Sequence, residues 1–177
     1  WVEIDGQRMQ SVPGGTHWGG GVQVSARDQA RIGQLLLDGG AHQGRQVIPR
    51  EWVQRMREPC AVAPFYGWLT WLNRDGRNFP GASAQSACMV GAGGHLTWIE
   101  PAQGAVVVLR WMNPDHTAGF TRRMAAALAR VSSGSSLTPR ASSARVASRS
   151  TGSASSPGRL VVAFLLPSTT FCTSAGQ

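Results

Sequence analysis

Nucleophilic catalysis needs a hydroxyl or thiol beside a base, so the side chains able to supply these are weighed first. Ser11, Ser25, Ser83 and Ser86 could each be paired on paper with His17 or His95. Any serine and histidine can be so paired, and the spacing selects none of them. A G-x-S-x-G elbow is absent. S-x-x-K is impossible, because all 17 basic residues are Arg and the chain contains no Lys. Loop and helix-cap roles are therefore the expectation for these serines. Metal chemistry has no better support. His17, His42, His95 and His116 are scattered, with no H-x-x-x-H or H-E-x-x-H spacing. Cys60, Cys88 and Cys172 are odd in number and lack C-x-x-C spacing, so neither a disulfide framework nor a metal site is expected. Cys60 and Cys88 are expected to be buried, inert thiols. No cofactor is indicated.

Gly91-Ala-Gly-Gly94 superficially suggests a phosphate-cradling loop. It lacks the following Lys and leads into a strand, where a phosphate loop would open a helix. It reads instead as a Gly-rich bend entering a sheet. Two readings stay open: a bulge near a sheet edge, or backbone amides aimed at a ligand oxyanion.

The elements that must position these groups follow from pattern. Residues 1–24 hold six Gly and Pro13 and read as irregular. Ser25-Ala-Arg-Asp28 is a capping box, followed by Ala30, Ile32, Leu35, Leu36 and Leu37 near helical period and a stop at Gly39-Gly40. A second helix opens at Pro49 and carries Trp52, Val53 and Met56. The aromatic run from Phe65 to Leu72 predicts a strand. Leu96 to Ile99 and Ala105 to Trp111, joined by Glu100-Pro-Ala-Gln-Gly104, predict a β-hairpin whose second strand is covered on both faces. A last helix carries Phe120, Met124, Leu128 and Val131. The remaining tryptophans, including Trp52, Trp68 and Trp71, are assigned to packing. The fold class is α+β.

Charge divides the chain at Asp115. Up to that residue there are 10 Arg against 9 acids; beyond it come seven Arg and no acid, which accounts for most of the net +8. Residues 1–131 thus read as one folded unit and 132–177 as a Ser/Ala/Arg-rich tail expected to be disordered. A basic tail without a basic helix or RNA-stacking aromatics argues against nucleic acid as a partner. The longest apolar run, Leu160 to Leu166, is too short to span a bilayer. The chain opens without Met on what reads as mid-domain sequence, so a truncated N-terminus is expected. Any export signal would lie upstream of Trp1, and no compartment is indicated.

Taken in order, these motifs resemble a known family. Gly19-Gly-Gly-Val-Gln-Val-Ser-Ala-Arg-Asp-Gln-Ala-Arg-Ile-Gly33, Leu35-Leu-Leu-Asp-Gly-Gly40 and Val47-Ile-Pro-Arg-Glu-Trp52 resemble a segment of the β-lactamase-related serine hydrolases. Tyr66-Gly-Trp68, Gly91-Ala-Gly-Gly-His95 and the stretch from Trp98 to Leu109 resemble the closing strands of the same proteins. Class C β-lactamases, D-alanyl-D-alanine carboxypeptidases of the penicillin-binding-protein type, related esterases and 6-aminohexanoate-dimer hydrolases are similar here. The resemblance spans about residues 10–130 and implies the C-terminal part of a β-lactamase/transpeptidase-like fold. It implies a bacterial-type acyl-enzyme hydrolase acting on a small amide or ester. The Ala92 amide would be one oxyanion donor, with Gly91, Gly93, Gly94, His95, His17 and Trp18 beside the substrate cleft. His17 as a solvent loop residue and Trp18 as core cover are the plainer alternatives. The family's S-x-x-K and Y-x-N do not map, since there is no Lys and Tyr66 is not followed by x-Asn. Inactivity of this chain alone is the expectation, with a non-catalytic ligand-binding module or pseudo-enzyme as the alternative. So is low stability, since a fragment without its first strands exposes a sheet edge.

Overall fold

A computed structural model describes residues 1–4, 6–9, 24–132 and 160–165. Two short strands, β1 (Val2–Ile4) and β2 (Gln7–Met9), pair antiparallel. Helix α1 (Ala26–Leu37) then begins as the capping box requires. Ser25 Oγ accepts from the Asp28 amide at 3.1 Å and donates to Asp28 Oδ2 at 2.7 Å. The helix ends where Gly39 and Gly40 turn to positive φ, with Gly40 N–H reaching back to the Leu35 carbonyl at 2.8 Å. A tight hairpin of β3 (Ala41–His42) and β4 (Arg45–Gln46) follows. Its Gln43-Gly44 corner has positive φ at both residues, the primed-turn conformation that suits a two-residue loop. Helix α2 is Arg50–Arg55.

The main sheet runs β5 (Trp71–Leu72), β6 (Ala87–Gly91), β7 (His95–Glu100), β8 (Ala105–Arg110) and β9 (Leu160–Leu165), in that spatial order. Neighbours are antiparallel from β5 to β8, and β9 lies parallel to β8. Helix α3 (Pro114–Ser132) follows β8 in sequence. The fold is α+β, an antiparallel sheet flanked by helices, consistent with part of a β-lactamase-like fold.

Strand β8 explains the layering. Its side chains alternate in direction, as a strand's must. Val107 and Leu109 join Trp98, Leu96, Cys88 and Leu128 on the α3 side, while Val106 and Val108 join Ala26 and Ala30 of α1 on the other. That is why the sequence of β8 is apolar at every position from Ala105 to Leu109: both faces are covered. On the α1 face the approach is close, since a Cβ on Gly33 would sit 2.6 Å from Val106 Cγ1.

Two expectations fail here. Phe65 to Leu72 is not one strand. Only Trp71–Leu72 pairs with β6, and the chain folds back so that Tyr66 bridges Trp71. Gly67 packs against the Met56 carbonyl, where a Cβ would not fit, and Thr70 Oγ1 donates to the same carbonyl. Leu69 takes φ +55° at the tip. The second failed expectation is Cys60, which is exposed rather than buried, while Cys88 is fully buried as expected. Within 132–177, only residues 160–165 are described beyond the end of α3, as β9 along the whole of β8. Trp52 and Trp68 pack edge-to-face on each other at 5.6 Å with both rings partly exposed.

Candidate functional site

The bend between β6 and β7 is three residues long, because Gly91 and His95 are the last paired positions of that hairpin. Ala92, Gly93 and Gly94 therefore lie outside the ladder. Gly93 and Gly94 adopt φ +82° and +73°, which an L side chain resists. At Gly94 there is a second reason. A Cβ would overlap the backbone of Met112, whose amide donates to the Gly94 carbonyl at 3.1 Å. The bend is thus pinned against the segment leaving β8, while Gly91, Ala92 and Gly93 stay exposed.

Two side chains frame that exposed backbone. His95 opens β7 half-buried, and Trp111 follows β8, 59% exposed and held at φ +62°. Their rings meet edge-to-face at 4.5 Å. Trp111 also lies over Gly93, where a Cβ would stand 3.3 Å from the indole. Burial lowers the pKa of His95 below its ordinary value, and the nearby Arg110 guanidinium adds to the effect. Both favour the neutral imidazole. His95 Nδ1 is buried and finds no hydrogen-bond partner among the described residues. Arg110 is itself held by the Val24 carbonyl at 2.6 Å.

The arrangement offers an exposed residue, Ala92, outside the ladder, an imidazole biased toward its neutral form and an aromatic wall. Among the described residues it offers no attacking group. Ser25 is engaged as the helix cap. Ser83 and Ser86 bond Glu100 near the start of β6, at the opposite end of the strand from His95. Burial, and secondarily the Glu100 charge, raises the pKa of Cys88 well above a thiol's usual value, so it stays protonated. Among the described residues no three His, Cys, Asp or Glu side chains cluster as a metal site, and no helix is long and apolar enough to cross a membrane.

Gly91, Ala92, Gly93, Gly94 and His95 thus fall together on one bend. Ser11, His17 and Trp18 lie outside the described residues. Trp111 and its contact with His95 were not foreseen, because Trp111 reads in sequence as the last residue of an apolar strand. Its only signal is the Asn113-Pro114 terminator just beyond, which marks the end of the strand.

No family model matches the chain. It is 28% identical over 134 aligned positions to the 6-aminohexanoate-dimer hydrolase of Paenarthrobacter ureafaciens, an alignment covering 65% of this chain and 32% of the relative. The chain thus spans about a third of the length of that curated relative. It is distantly related to this hydrolase of the β-lactamase-fold family.

Proposed function

We propose that the chain is the C-terminal portion of a β-lactamase-related serine hydrolase that cleaves a small amide or ester, and that it is inactive alone. The observation that carries this is exposed Ala92, outside the ladder on a pinned Gly bend beside His95 and Trp111, in a chain without any Lys. An amide held there would stabilise the negative oxygen of a tetrahedral intermediate. Such a donor typically contributes about 100- to 1,000-fold in rate. The sheet fixes the donor before reaction, so no reorganisation is needed as charge develops. The attacking serine and its base belong, in this reading, to polypeptide outside these residues.

Distant kinship to an amide hydrolase supports the reaction class. The test is turnover of a nitrophenyl ester and a cephalosporin by the purified chain, with reading of the genomic frame upstream of Trp1. We expect no turnover above buffer, and an in-frame S-x-x-K and Y-x-N upstream. Turnover at enzymatic rates contradicts the inactivity. An upstream frame without those motifs contradicts the hydrolase and favours the binding-only alternative.

A further inference from the structure

At the other end of β6 from the Gly bend, a half-open cavity of about 210 Å³ is lined by Arg57, Leu72, Arg74, Ala84, Gln85 and Ser86. Arg57 follows α2 and is half-buried; Arg74 lies on the loop after β5. Arg74 Nη2 donates to the Arg57 carbonyl at 2.9 Å, which draws the second guanidinium back toward the first residue's backbone. Among the described residues, neither guanidinium forms an ion pair. The acids beside them in sequence do not line the cavity: Glu58 is exposed, and Asp75 pairs with Arg77 at 3.6 Å. The buried Glu100 carboxylate lies behind Ser86 and is already bound by the Ser83 amide, both serine hydroxyls and the Ala102 amide. Among the described residues the cavity wall therefore presents two like charges with no counter-charge, one of them partly removed from water.

We infer that this cavity is a binding site for a short-chain aliphatic carboxylate, with its anionic end between Arg57 and Arg74 and its chain against Leu72 and Ala84. The guanidinium fork matches a carboxylate's two oxygens, and the charge-assisted bonds are strongest where water is partly excluded. Burial lowers the pKa of Arg57 from its ordinary value, yet a guanidinium stays protonated at neutral pH, so a partly desolvated charge stands at the cavity wall. The volume falls below the roughly 300 to 1,000 Å³ of pockets for drug-sized ligands, which sets the ligand's size. The inference does not rest on the hydrolase reading. The cavity and the bend are separated by the five residues of β6, on the order of 17 Å at about 3.4 Å per residue.

The test is an amide-resolved NMR titration of the full chain with sodium butyrate at constant ionic strength. Saturable shifts are expected at Leu72, Gln85 and Ser86. Arg57→Gln and Arg74→Gln should each weaken binding by about tenfold or more, the worth of one charge-assisted bond. Arg45→Gln, on an exposed strand elsewhere, should leave it unchanged. Should Arg57→Gln fail to fold, Arg74→Gln, at an exposed position, carries the test. Shifts that do not saturate, equal affinity in Arg74→Gln and the unaltered chain, or an equal response to chloride would each overturn the site.

Discussion

The two ends of strand β7 are built on opposite principles. At Glu100 every polar group is answered. The carboxylate is 1% exposed and takes donors from the Ser83 amide at 2.9 Å, Ser83 Oγ at 2.5 Å, Ser86 Oγ at 2.6 Å and the Ala102 amide at 3.2 Å. Trp98 Nε1 closes the network onto Ser86 at 3.2 Å. At His95, five residues earlier, a ring nitrogen is buried without a partner, the neighbouring Trp111 sits at positive φ, and the bend's backbone faces solvent. A saturated buried network rigidifies a fold. Unsatisfied groups and off-region backbone persist only where the surroundings impose them, and they concentrate where ligands act. One end of this strand is therefore structural, and the other is where function is to be sought.

That contrast can be broken by mutation, and the largest effect belongs to the bend's anchor. Gly94→Ala drives a Cβ into the Met112 backbone and forces φ +73° on an L residue. It should cost about 3 kcal/mol or more in urea-monitored unfolding. A near-neutral result would mean the bend is not pinned. Glu100→Gln comes next. It replaces an acceptor-only group with one that presents hydrogens to hydroxyl and amide donors, and should cost about 2 kcal/mol by the same assay. An unchanged midpoint would show that the network is not what holds that end.

The pH dependence sharpens the other side. A histidine whose folded pKa lies below its ordinary 6.5 binds fewer protons folded than unfolded. Its contribution is fully present above about the unfolded value and is lost as pH falls through the lower folded one. Melting temperature should therefore fall between neutral and mildly acid pH, and fall less in His95→Gln. An identical fall in both would remove His95 as the cause. The smallest effect is expected of Trp111→Gly. Relief of the positive φ, about 1 kcal/mol, offsets the lost ring contact, so stability should barely move. A large loss would make Trp111 structural and collapse the distinction between the two ends.

Which of these features could be read before the fold was known depends on how local their causes are. The capping box at Ser25, the Gly39-Gly40 stop and the β7–β8 hairpin are written in neighbouring residues, and each formed as its pattern demands. The bend was legible for the same reason: three glycines in four positions require a backbone cause. The aromatic run at Phe65 misled because strand propensity there loses to a nonlocal contact, the packing of Gly67 and Thr70 on the Met56 carbonyl. Strand β6 has Ala, Cys and Met where β-branched residues would have announced it. Strand β9 hid as six apolar residues in a low-complexity tail, and its partner lies some fifty residues earlier. The His95–Trp111 contact joins positions on different strands, and no spacing rule reveals it.

The central proposal is that this chain supplies a backbone donor for the developing oxyanion but no group to attack. Intact-mass measurement after exposure to a fluorophosphonate and to a penicillin tests it most directly. The account predicts an unmodified mass with both reagents. A one-to-one adduct on a serine would contradict it.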